Sequence, residues 1–213
     1  GRDLKLSEDR VKGYKSFTNK IWNAANFLQI NECIFDEKID FENIKLETNQ
    51  WIIKEFLDTK SNIDISINKY LFHDVANKIY HFVWHTFCDW YIELIKSNFN
   101  DNQKSDEIKI VSGWLFGQIL KLIHPIMPFI SEKLWGVLVN DKSFLIKQFY
   151  ANYKINNSFD VSKNNFNTFI EFITSVRNLR SELNIPYKKL INITIEIKNE
   201  NLNDFLINHK NEI

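Results

Sequence analysis

The chain has 213 residues, and its 27 Lys and Arg balance 27 Asp and Glu, so bulk basicity cannot be its means of holding a polyanion. Hydrophobic residues make up 44% and aromatics 15%, which excludes a disordered chain and provides for a real core. Five glycines and three prolines disfavour a turn-rich all-β fold and suit long helices.

From Ser7 onward, Val11, Tyr14, Thr18, Ile21, Trp22, Ala25 and Leu28 recur at three- and four-residue steps, predicting an amphipathic helix over about 7–29. Ser16, Lys20, Asn23 and Phe27 then fall on the opposite face, within roughly 60° of one another. A ring flanked by a lysine and an amide on that face needs a second packing partner or a flat ligand, and a nucleic-acid base is one such ligand. The first 27 residues carry six Lys or Arg against three Asp or Glu, a local surplus.

Residues 31–47 read as a polar connection. A second helix is expected from Thr48 or Asn49, either of which can cap it, carrying Trp51, Ile52, Phe56, Ile63 and Ile67. A third, about 72–96, is the most aromatic and is expected near the bundle centre. The polar run 97–107 reads as a loop. A fourth helix spans about 108–123 and stops at HPIMP, where Pro125 cannot continue it and Pro128 opens a short helix through Val139. The apolar stretch 143–150 suggests an edge strand, and a fifth long helix is expected over about 161–183. In LINITIEIK the apolar period drops to two, the mark of a half-buried strand over about 189–198, before a terminal helix.

Several side-chain groups invite chemistry. His81, His85 and Asp89 share one helical stripe beside Cys88, but no HExxH spacing or second ligand cluster accompanies them, so a partly solvated stripe is expected rather than a metal site. No glycine-rich phosphate loop, nucleophile elbow or placed carboxylate pair occurs, so no catalytic residue is assigned. Arg177 and Arg180 lie one turn apart and are candidate phosphate contacts, or else ion-paired surface near Glu171 and Glu182. Lys12 and Lys15 are candidates of the same kind. Two distant cysteines, Cys33 and Cys88, imply a reducing compartment, and no apolar run reaches the ~18 residues of a membrane span.

Four segments, in order, resemble the bacterial valine–tRNA ligase family: GRDLKLSEDRVKGYKSFTNKIWNAANF, YHFVWHTFCDWYIELIK, LIHPIMPFISEKLW and SVRNLRSELNIP. The third is shared among class I synthetases for aliphatic amino acids, while the first and last favour the valine enzyme. The resemblance implies a mainly α chain: an anticodon-binding helical bundle over 1–145, then a long helix and a truncated start of a small α/β module over 146–213. It implies that the chain is a piece of a longer cytoplasmic enzyme that charges valine tRNA with ATP and edits mischarged tRNA. ATP and Mg would belong to the catalytic domain, with no cofactor in this segment. The implied partners are the anticodon stem-loop of valine tRNA and the catalytic and editing domains of the same polypeptide, with no membrane.

By the same resemblance, Phe27 matches the position that stacks on an anticodon base. Lys5 and Lys20 match basic contact positions. Arg10 and Asn23 lie on the same tRNA-facing segment. Asn26 stands where many relatives carry Arg, which weakens that contact. The alternatives are the corresponding domain of an isoleucine or leucine enzyme, or a helical protein-interaction module in which Phe27 is buried against a partner.

Overall fold

The computed structural model describes residues 7–100, 102–139, 143–150, 159–186, 189–194, 196 and 200–209. It divides into two units, 1–158 and 159–213.

In the first unit, helix α1 (Glu8–Ile30) opens with Glu8 and Asp9 in its first turn, where carboxylates complement the helix dipole. Its buried residues are Phe17, Ile21, Ala24, Ala25 and Leu28, whereas Val11, Tyr14 and Trp22 are exposed. The packing face is therefore turned by roughly 60° from the one expected, toward Phe17. The cause is the neighbour: Phe17 lies 5.0 Å from the Tyr80 ring and stacks on Trp84 at 6.2 Å, aromatic contacts that period counting cannot foresee.

Helix α2 (Glu47–Asn68) has Leu46 at its N-cap, and no side chain of its own caps it. The carboxylate of Glu107, sixty residues away, does so instead. It accepts from the backbone N–H of Lys45 (3.0 Å) and Leu46 (2.9 Å) and from the amide of Asn49 (2.9 Å), a role that a capping-box residue usually fills locally. The third predicted helix is one continuous rod in three parts: α3 (Phe72–His81), a π-helical segment (Phe82–Tyr91) and α4 (Ile92–Lys96), closed by a 3-10 turn at Ser97–Asn100. Phe82, Val83, Phe87, Cys88 and Tyr91 of the π segment are buried, as expected for a central element. The Tyr91 hydroxyl donates to Asn49 Oδ1 (2.9 Å) and lies 3.0 Å from Ser112 Oγ, so three elements share one satisfied polar cluster.

Helix α5 (Asn102–Ile123) begins within the run expected to be a loop; over 104–108 Ser105 and Ile108 are buried while Lys104 and Asp106 face solvent, so a polar sequence suits this amphipathic start. Its glycines have a job: a Cβ at Gly113 would stand 2.2 Å from the Ile34 carbonyl oxygen, and one at Gly117 would stand 2.0 Å from the Phe35 ring. The connection after α1 thus crosses directly over α5. Pro128 opens helix α6 (Pro128–Leu138) as expected. The stretch expected as an edge strand instead holds a 3-10 turn, Leu145–Lys147. Glu132 explains it by accepting from the N–H groups of Leu145 (2.8 Å) and Ile146 (3.4 Å), donors a strand would have spent on a ladder.

The second unit holds α7 (Asp160–Glu182) and α8 (Glu200–Asn208), with Phe166, Phe169, Ile173, Phe205 and Leu206 buried. The alternating run expected as a strand over about 189–198 takes no strand at 189–194 or 196; residues 195 and 197–199 lie outside the described residues. Alternation makes a strand only when an edge is there to pair with, and the described residues contain none. Among the described residues, the strand of the expected α/β module is not formed.

Three helices end alike. Glu32, Tyr70 and Asn184 have φ of 60°, 58° and 52°, and each follows the C-cap of α1, α2 or α7. The bonds Cys33 N–H to Leu28 O, Leu71 N–H to Ser66 O and Ile185 N–H to Arg180 O, all 2.9 Å, close Schellman motifs built without glycine.

Candidate nucleic-acid interface

Helix α1 and the α3–π–α4 rod run side by side in the same direction. Phe17 meets Tyr80 and Trp84, Lys20 meets Trp84 and Asp89, and Phe27 meets Lys96 and Phe99. The stripe of Ser16, Lys20, Asn23 and Phe27 lies along the seam between the two, on the flank of the packing face rather than opposite it. Ser16 and Asn23 are exposed, while Lys20 and Phe27 are half-buried.

Each half-buried residue has a defined setting. The Lys20 amine donates to Asp89 Oδ1 and sits 5.0 Å from the centre of the Trp84 ring. Asp89 Oδ2 also faces His85 Nδ1 at 3.3 Å. The histidine stripe is thus part of an ion-paired surface, and no three His, Cys, Asp or Glu among the described residues are grouped to hold a metal. Beneath this surface, burial pushes the Cys88 thiol up to about 12, against the pull of Lys20. A thiol in that state is no nucleophile. The Phe27 ring meets Phe99 edge-to-face at 5.6 Å, and the Lys96 amine lies 5.9 Å from its centre. Its carbonyl is fixed by the Asn31 side chain, which donates to it at 2.8 Å.

The remaining expected residues are scattered. Lys5 lies outside the described residues, Arg10 falls in the first turn of α1, and Lys12 and Lys15 are exposed. Lys12 faces Asp9 at 3.5 Å. Asn26 is half-buried on α1. Arg177 and Arg180 belong to α7, in the other unit; Arg180 donates to the carbonyls of Pro186 (2.7 Å) and Lys189 (2.8 Å), closing the turn after the helix. Sequence reading missed Asp89 as the partner of Lys20, and Phe99 and Lys96 as the surroundings of Phe27. These pairings join residues about seventy positions apart, and only the parallel run of the two helices brings them together.

A family model for the anticodon-binding domain of tRNA ligase matches residues 49–195, more than half of the chain. The chain belongs to that family. Its anticodon-binding bundle is similar to part of the valine–tRNA ligase of Zymomonas mobilis, at 42% identity over 87% of this chain. It is similar also to those of Pelagibacter ubique (38% over 92%) and Staphylococcus saprophyticus (34% over the whole chain). The chain spans between 22% and 25% of the length of these relatives. Helix α1 precedes the residues that the family model matches, but the Staphylococcus similarity includes it.

Proposed function

We propose that this chain is the anticodon-recognition part of a valine–tRNA ligase, and that the α1 seam is the surface that meets the tRNA. The observation carrying the second statement is Phe27: half-buried on the flank of α1, braced on one side by Phe99, with part of its surface open to solvent. The valine assignment is supported by the relatives named above, which all bear that name. The whole enzyme would attach valine to its tRNA with ATP and edit mischarged tRNA. ATP and Mg would be held by the catalytic part of that polypeptide.

Valine codons begin GU, so valine anticodons carry C and A at the two matching positions. A stacking ring with neighbouring donors and acceptors suits unpaired bases, which are read on their exposed edges. Phe27 would stack, Asn23 would offer its amide to a base edge, and Lys20 would supply positive charge. Lys12 and Lys15 are exposed nearer the start of the same helix and would meet phosphates, and Arg10 and Lys5, the latter outside the described residues, are proposed as contacts of the same kind. Asn26 offers an amide where a cation would bind more strongly. Arg177 and Arg180 lie in the other unit, and Arg180 is committed to backbone carbonyls. The domain performs no bond chemistry. Binding energy gained here would orient the acceptor end at a distant catalytic site.

The test is Phe27→Ala in the full-length enzyme, with charging of valine tRNA measured. The expected loss is about 1–3 kcal/mol in tRNA binding or kcat/KM, the range for one base on one ring. Unchanged kinetics would falsify the assignment of α1. Failure of the full-length enzyme to charge valine tRNA, with isoleucine or leucine tRNA charged instead, would overturn the specificity.

A further inference from the structure

The Phe27 ring is built into a corner, not displayed on a bare helix. Phe99 reaches it from the 3-10 turn at Ser97–Asn100, and that turn is held by the Asn98 amide donating to Leu94 O at 3.3 Å. Phe99 is itself half-buried, so it can brace a ring and still offer an edge to a ligand. Helix α1 has no basic residue in its last turn. The positive charge beside Phe27 comes instead from Lys96, at the end of α4. Lys96 pairs with Glu93 at 2.5 Å, and both side chains are about half exposed, so water screens the pair and a phosphate can replace the carboxylate.

We infer that the nucleotide site has a second wall: Phe99 and Lys96 of the neighbouring rod, with Phe27, form a slot in which the base stacks on Phe27, Phe99 limits its depth and Lys96 takes its phosphate. The inference rests on the reading of α1 as the tRNA-facing helix. It accounts for a feature that reading leaves aside: the Lys96 amine over the Phe27 ring at the end of α4. It also divides the labour between the two helices. Lys20 is held against Asp89 and Trp84 in the middle of the seam, so the cation nearest the ring is the one from the second helix.

The test uses the full-length enzyme and valine tRNA, with Kd measured at several salt concentrations for Phe27→Ala, Lys96→Ala, Lys96→Arg and Phe99→Leu. Lys133→Ala, on α6, serves as a charge control. Lys96→Ala is expected to weaken binding by about three- to ten-fold at low salt and to lower the slope of log Kd against log salt by about one phosphate's share, with Lys96→Arg close to the parent. Phe99→Leu, which keeps apolar bulk, is expected to weaken binding several-fold with the slope unchanged. Circular dichroism and melting temperature identify any variant whose loss comes from folding. If Phe27→Ala weakens binding while either Lys96→Ala or Phe99→Leu leaves Kd and slope at parental values, the two-helix slot is overturned and α1 alone reads the base. If Phe27→Ala itself has no effect, the reading beneath the inference fails.

Discussion

Lys20 and Asp89 show how one contact changes what a side chain can do. A lysine on a solvent face is a natural phosphate ligand, but here its amine is held by a carboxylate and laid on an indole. A phosphate arriving at Lys20 must displace Asp89, and repulsion from that carboxylate opposes it. Asp89→Asn should therefore strengthen tRNA binding by the full-length enzyme and steepen its salt dependence by up to about one phosphate contact. Binding assays across a salt series would check this, and a slope identical to the parent would place Lys20 away from phosphate. The cost in stability should stay below about 1 kcal/mol, since the pair is partly exposed. The sequence made Lys20 and Phe27 legible as an unusual pair on a helical wheel. It could not show that one is neutralised and the other braced, because those partners come from a helix some seventy residues away.

At the level of elements, most long helices and the Pro128 start could be read from periodicity and breakers. Two of the differences share a cause, a contact made across the fold. The α1 face was displaced because Phe17 finds Tyr80 and Trp84. Thr48 and Asn49 are the local cap candidates for α2, but Glu107 of α5 accepts from the backbone at its start. Glu107→Ala should cost about 1–3 kcal/mol, since it strips two backbone donors and leaves the buried Asn49 amide without that acceptor. A shifted urea midpoint with an unchanged slope would report it. The helix ends were hard to see for another reason, because their left-handed positions carry Glu32, Tyr70 and Asn184 in place of glycine. Tyr70 is 80% exposed and loses little packing on truncation. Tyr70→Gly should therefore raise stability by up to about 1 kcal/mol, relief of left-handed strain outweighing the added freedom of the unfolded chain. Thermal melting would test this. The strand expected near the end of the chain rested on alternation alone, and alternation does not reveal whether a partner edge exists.

Over the whole molecule, overall neutrality coexists with local pairing, and three of the groups whose ionisation is strongly altered are acids buried in the core. Burial pushes the Cys33 and Cys88 thiols up from 9.0 to about 12, and it raises the Tyr91 phenol well above its usual 10.0. All three are neutral when protonated, and folding holds their protons more tightly than the unfolded chain does. Their contribution to stability is thus complete below about pH 9 and is lost as pH rises through the folded values. Urea midpoints measured from pH 7 to 11 should stay level at first and then fall above about 9, less steeply in a Cys33→Ala, Cys88→Ala double variant. A midpoint that rose with alkalinity would contradict this account of the core.

The seclusion of both thiols has a practical corollary. Because neither Cys33 nor Cys88 is accessible or ionised near neutrality, alkylating dyes should pass the native protein by. A cysteine introduced by Asn23→Cys, midway between Lys20 and Phe27 on the exposed side of the first helix, would then be the reactive thiol of this segment and could carry a fluorophore. Such a label would turn the groove between two parallel rods into an optical reporter of whatever settles there.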